Sequence, residues 1–313
     1  MKIRIKEKVF DTCKFQSSKT PIYVGVNEIK VDLISYPPNP YKVIVEMALT
    51  TWGSNLKKWI LLSPEERFYA VSSVLRKKAL PLGLESPLFV FGVSNVSRSS
   101  FDQIARTRIG ATISSLGWNN IHSETGFRIP NEIFDKYDKY EEISSCLEKI
   151  KSLYCYMVLN GISWQSAREI LPLGLLHWFY FSITYLALQN FCSRRLCFSE
   201  KEDTVATAWL MRERVKEKFP LLALCLRPSC DFSKRCSYHL EDSLPEHMGS
   251  LFKSCGRNLC NVSNPNVEFD IPSTDVNNLR SQLGINIPNA DEDLPPVKFD
   301  DLEKKDIEAF SND

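Results

Sequence analysis

The chain is poor in several things that would classify it quickly. Among 313 residues only 12 are glycine and 4 are histidine, and none of the glycines builds a phosphate-cradling loop. No strand-turn-helix serine elbow is present, which removes the familiar hydrolase signatures. No apolar stretch follows Met1-Lys2-Ile3-Arg4-Ile5-Lys6, so no secretory signal is expected. Net charge is also scarce at +1. That value hides an asymmetry, because residues 291–313 hold nine acids against three lysines and leave residues 1–290 with 36 bases and 29 acids. A body at +7 suits a pocket for small anions, but it lacks the basic stripe expected of a protein that binds a nucleic-acid polymer. The ten cysteines are spread too widely for a disulfide scaffold, and a reducing, cytoplasmic compartment is expected.

What is present is a substantial apolar fraction, 43%, enough to bury a core. The richest stretch is 173–192, through Trp178, Phe179, Tyr180, Phe181 and Ile183 to Phe191. His177, Ser182, Thr184, Gln189 and Asn190 interrupt it, so it is expected to be a buried helix and not a membrane span. Short β-type runs such as Lys42–Val45 between Pro-rich turns make residues 1–55 read as strands and loops. Ser63-Pro64-Glu65-Glu66 opens a helix with a capping box and proline at its first position. Pro87–Val93 reads as a strand. Ile143, Leu147, Ile150, Tyr154 and Met157 keep helical spacing up to a Gly161 cap, and residues 200–218 form a further amphipathic helix.

Residues 97–119 concentrate unusual chemistry: Gln103, Arg106 and Arg108 lie within a segment that reads as one helix. On a helical wheel Arg108 falls inside the apolar stripe of Phe101, Ile104, Ala105 and Ile109. A charge there costs several kcal/mol in order of magnitude unless a carboxylate or a bound phosphate faces it.

This segment resembles the signature of the flavin-dependent thymidylate synthases, with Ser97, Arg98, Gln103, Arg106 and Arg108 at the family's spacing. The resemblance continues in order. Gly126–Ile133 is similar to the family's short strand and turn, Gly161–Pro172 to its G-x-x-x-E-x-A-R-x-x-L-P element, and Leu188–Arg195 to its N-F-x-x-x-R helix. It implies an α+β (mixed α/β) fold, a mixed sheet flanked by helices, with active sites between the subunits of a homotetramer. It implies a domain over residues 1–260, matched best over 85–220, with a Cys-rich extension at 225–260 and a loosely ordered acidic tail at 261–313. The implied activity is C5 methylation of dUMP or a related pyrimidine nucleotide, with FAD as cofactor and methylenetetrahydrofolate and NADPH as cosubstrates. No protein nucleophile is needed, so no catalytic side chain is assigned. By the same resemblance Gln103, Arg106, Arg168 and Arg195 bind the nucleotide, and Arg106, Arg108 and Asn190 bind the flavin.

The chain also departs from the pattern. Thr107 stands where the family has histidine, Ala111 and Leu116 where it has serines, and Trp118 where it has arginine; Leu80 and Leu82 replace polar flavin contacts. These changes leave three expectations: a different pyrimidine nucleotide, contacts supplied by Ser114, Ser115, Asn119 or Asn120, or a catalytically silent paralogue that binds a nucleotide or builds an oligomer. Separately, Cys225, Cys230, Cys236, His239 and Cys255 cluster after Pro220. Of these, Cys230, Cys236, His239 and Cys255 are candidates for a structural zinc. His122 and His247 carry no pattern and no assigned role.

Overall fold

The computed structural model describes residues 22–24, 28–52, 59–77, 82–115, 125–197, 200–228 and 299–312. In chain order these form β1 (Ile22–Val24), β2 (Lys30–Ser35), α1 (Pro40–Trp52), a 3-10 turn at Trp59–Leu61, α2 (Pro64–Lys77), α3 (Leu82–Glu85) and β3 (Leu88–Ser97). Then come α4 (Arg98–Ile104), β4 (Ala111–Ser115), β5 (Phe127–Ile129), α5 (Asn131–Lys136), α6 (Tyr140–Leu159), α7 (Trp164–Ala167) and a 3-10 turn at Arg168–Ile170. The last are β6 (Leu176–Thr184), α8 (Tyr185–Arg195), α9 (Glu202–Lys216), α10 (Pro220–Leu224), a 3-10 turn at Phe299–Asp301 and α11 (Lys304–Ser311). The expected α+β class is correct, and the main sheet is antiparallel in the order β2-β3-β6-β4. A separate parallel pair joins β1 to β5.

The apolar run expected as one helix is instead β6 followed by α8. Phe179, Phe181 and Ile183 point inward, whereas Tyr180 is exposed and Ser182 and Thr184 are half-buried. This period of two is that of a strand with one covered face. The helix begins only where Thr184 caps it, its hydroxyl accepting from the Ala187 amide. Lys42–Val45, read as β-type, lies inside α1. Asn39 Oδ1 accepts from the Lys42 amide at 3.1 Å, Pro40 takes the first helical position, and Tyr41, Ile44, Val45 and Ala48 are buried at helical spacing. The capping box formed as read: Ser63 Oγ accepts from the Glu66 amide and Glu66 Oε2 from the Ser63 amide.

One core lies between the inner face of the sheet and helices α1, α2, α8, α9 and α10. A smaller one gathers Phe127, Tyr154, Cys155, Val158, Ala167 and Leu175. Residues 261–298 lie outside the described residues, but the end of the acidic tail is not loose. Phe310 and Asp306 of α11 are buried in the larger core. Asp306 accepts from Tyr41 Oη at 2.5 Å and from the Leu221 amide at 2.9 Å. Burial pushes its carboxyl up to about 6, against the pull of both hydrogen bonds. An acid raised in the folded state supports folding fully below its unfolded pKa, and that support disappears as pH rises through about 6. Asp306→Asn should therefore flatten the dependence of urea stability on pH between about pH 4 and pH 7, by up to about 3 kcal/mol. An unchanged slope would mean that this carboxyl titrates normally.

Candidate functional site

Helix α4 is short, and its start is locked into a buried polar cluster. Ser97 caps it, with Oγ accepting from the Ser100 amide at 3.1 Å and from Lys201 Nζ. The same hydroxyl donates to Asp203 Oδ2 at 2.7 Å, and the Ser97 amide donates to that oxygen at 3.0 Å. Asp203 is fully buried and ion-paired with Lys201 at 3.2 Å. One turn along, Ser100 and Thr204 share a 2.5 Å hydroxyl contact, and Thr204 donates to Gln103 Oε1 at 2.9 Å. One face of α4 is thus bonded to the start of α9. Sequence reading missed Asp203 and Thr204; the acidic Glu202-Asp203 pair opening a helix was the available signal.

The helix ends at Ile104, so Arg106 and Arg108 do not lie on it. Both stand exposed on the loop 105–110, and Arg108 is not on a core stripe. The burial cost expected for it does not arise; Ile109 beside it is itself 91% exposed. The loop is pinned at both ends. The Gln103 carbonyl accepts from the Arg106 amide at 3.4 Å and from Arg195 Nη2 at 3.0 Å. At the other end the Gly110 carbonyl accepts from the Thr184 amide at 2.8 Å. Gly110 has φ +69°, and a Cβ there would meet Thr184 Oγ1 at 2.7 Å, so glycine is required. The loop therefore runs along α8 from Arg195, near its C-terminal end, to its N-cap Thr184. Among the described residues neither Arg106 nor Arg108 has an ion pair or side-chain hydrogen bond, and two exposed guanidinia on one pinned loop have the charge and donors that an anion could use.

Arg195 is held more firmly, paired with Glu200 at 2.8 Å in a largely buried contact. Asn190 is exposed one turn earlier on α8. Gln103, Arg106 and Arg195 therefore meet at one carbonyl. Arg168 sits apart on the 3-10 turn after α7, half-buried. That turn leads to Leu173 and Leu175, whose carbonyls accept from the Ser99 and Arg98 amides at the start of α4. Arg98 itself pairs with Asp102 at 2.9 Å and lies over the Phe101 ring. His177 lies on β6, not on a helix, with its ring 4.3 Å from that of Phe101; burial and then Arg98 lower its pKa to about 4, keeping it neutral.

Helix α3, at the place of the family's polar flavin element, offers the exposed Leu82 and Glu85 and the buried Gly83 and Leu84. A Cβ on Gly83 would stand 2.9 Å from the Ile44 carbonyl oxygen, so α3 lies directly on the α1 backbone. Leu80, Leu116, Trp118, Asn119, Asn120 and His122 lie outside the described residues, as do Cys230, Cys236, His239, His247 and Cys255. Cys225 is buried in the larger core, and no group of three metal-type ligands occurs among the described residues. No described helix is long and apolar enough to cross a membrane.

A family model described as thymidylate synthase complementing protein matches residues 32–221, from β2 into α10. The chain is similar to the flavin-dependent thymidylate synthase of Pyrococcus furiosus, 26% identical over 204 residues that cover 61% of this chain and 80% of that protein. The flavin-dependent thymidylate synthase of Saccharolobus solfataricus is 26% identical over 216 residues, 64% of this chain and 78% of that protein. Among solved structures, a UMP/dUMP methylase, PolB from Streptomyces cacaoi bound with 5-Br dUMP, shares the fold. Its TM-score is 0.54 at 14% identity, over 65% of this chain and 95% of that one.

Proposed function

The chain belongs to the thymidylate synthase complementing protein family, and from that membership we propose that it is a flavin-dependent enzyme methylating C5 of a pyrimidine nucleotide. The substrate is dUMP by default, the cosubstrates are methylenetetrahydrofolate and NADPH, and the working form is a cytoplasmic homotetramer. The observation that carries this reading is the pair of exposed guanidinia, Arg106 and Arg108, on a loop fixed at the Gln103 and Gly110 carbonyls. A loop held this way presents charge that has no side-chain partner among the described residues, which suits the phosphates of a nucleotide or a dinucleotide cofactor.

FAD, when bound, supplies the one-carbon relay and the reducing equivalent. The donor set fits its phosphates but not a fully polar contact at α3, where Leu82 offers no hydrogen bond. Arg106, Arg108 and Asn190 would hold the flavin, while Gln103, Arg106, Arg168 and Arg195 would hold the nucleotide. Arg195 arrives pre-oriented by Glu200 and the Gln103 carbonyl, so little side-chain entropy is lost on binding. Its planar fork suits pyrimidine carbonyls, where a fixed charge would stabilise negative charge developing on the ring oxygen. The chain supplies orientation and charge, and no cysteine is required as a nucleophile.

The test is the visible absorption of flavin retained by purified protein, followed by titration with dUMP. The parent should be yellow and its spectrum should shift with dUMP. Arg108→Ala should fold with unchanged stability, within about 0.5 kcal/mol for an exposed site, yet bind flavin roughly tenfold or more weakly for the lost charge-assisted contact. A parent that stays colourless with added FAD defeats the reading.

A further inference from the structure

The family match ends at residue 221, but an elaborate contact lies beyond it. The Phe310 side chain enters a box of aromatic rings: stacked on Tyr41 at 4.7 Å and Trp59 at 6.2 Å, and edge-on to Phe68 at 5.8 Å. The last carbonyls of a helix have no partner within it, and here the rest of the molecule provides them. Asn39 Nδ2 donates to the Ala309 carbonyl at 2.8 Å, Arg67 Nη1 to that of Phe310 at 2.7 Å, and Trp59 Nε1 to that of Asn312 at 2.9 Å. With Asp306 taking the Leu221 amide and the Tyr41 hydroxyl, the seat recognises a helical Asp-x-x-x-Phe segment through both side chains and main chain.

The seat is built from the elements that also carry the walls of the candidate site. Tyr41 lies one turn before Ile44, whose carbonyl supports Gly83 of α3. Leu221, bonded to Asp306, precedes Leu222, whose carbonyl accepts from Tyr185 Oη at 2.8 Å. Tyr185 is the first residue of α8, which bears Asn190 and Arg195. The same short segment therefore braces α3 through α1, and α8 through α10.

We propose that residues 299–312 act as a C-terminal clasp whose docking on the aromatic seat of α1, α2 and α10 holds α3 and α8 in their ligand-binding positions, so that undocking lowers the affinity for flavin. The affinity statement rests on the function proposed above; the bracing of α3 and α8 does not.

The test compares the parent chain with Phe310→Ala, measuring FAD affinity and amide hydrogen exchange. Exchange in residues 82–85 and 185–195 should speed at least tenfold in the variant while β6 keeps its protection. FAD affinity should fall at least tenfold, and a synthetic peptide of residues 299–312 should restore both. If Phe310→Ala does not fold, Glu308→Pro carries the same comparison, breaking the clasp helix at an exposed position with every seat residue intact. Unchanged exchange at 82–85 and 185–195 overturns the clasp, as does a uniform loss of protection that the peptide does not reverse. If the parent binds no FAD, the flavin reading alone falls, and the exchange pattern still decides for or against the clasp.

Discussion

Arg195→Ala is expected to lower nucleotide affinity by on the order of a hundredfold or more, with turnover falling at least as far. The size follows from the loss of a pre-oriented, largely buried charge, for which removal of one partner costs about 2–5 kcal/mol. The guanidinium also ties the Gln103 carbonyl to α8 and faces Glu200 at 2.8 Å, so stability should fall as well, by about 1–3 kcal/mol. Binding must therefore be read by calorimetry on variant protein whose circular dichroism matches the parent. Arg195→Lys separates the contributions, because it keeps the charge and loses the planar fork; an intermediate affinity is expected. An alanine variant that bound the nucleotide as tightly as the parent would remove Arg195 from the site.

The second large effect concerns folding. Asp203 is fully buried, accepts twice from Ser97 and pairs with Lys201. Asp203→Ala would strip the Ser97 amide and hydroxyl of their acceptor and leave Lys201 beside a cavity. Breaking such a pair typically costs about 3–5 kcal/mol. Because Ser97 caps α4, the damage is expected to spread to the loop carrying Arg106 and Arg108. Urea unfolding should place Asp203→Ala several kcal/mol below the parent, with Asp203→Asn between them, since the amide oxygen can still accept. A loss under about 1 kcal/mol would show that the cluster contributes little to holding α4.

Elements with strong local signals were legible in the sequence. The capping box at Ser63, the strand from Leu88, the helical spacing of residues 140–159 and the φ of +86° at Gly161 all appear as local chemistry dictates. Residues 176–184 and 40–52 depart from expectation for one reason, that each apolar run is too short for its period alone to separate strand from helix. In 176–184 the alternation of Phe179, Phe181 and Ile183 with Tyr180, Ser182 and Thr184 was the strand signal. In 40–52 the Asn39-Pro40 pair was the helix signal. The placement of Arg108 failed for another reason. Residues 98–109 keep an apparent helical stripe, but Gly110 must meet Thr184 across the sheet, and that tertiary contact demands a loop. The docking of Phe310 was not legible at all, since its partners Tyr41, Trp59, Phe68 and Arg67 lie more than 240 residues away in the chain. For the site itself, residue types and order carried the resemblance, while the acids that orient it, Glu200 and Asp203, emerged only from the fold.

Methylation of a pyrimidine nucleotide through bound flavin by this divergent chain is open to direct measurement. The direct measurement is turnover of purified protein with FAD, NADPH, dUMP and methylenetetrahydrofolate labelled in its one-carbon unit, with products separated chromatographically. Label is expected in dTMP, dependent on FAD and on NADPH and lost in Arg195→Ala. Absence of any labelled pyrimidine nucleotide, with dUMP or with UMP in its place, from protein that is folded and supplied with FAD would contradict it.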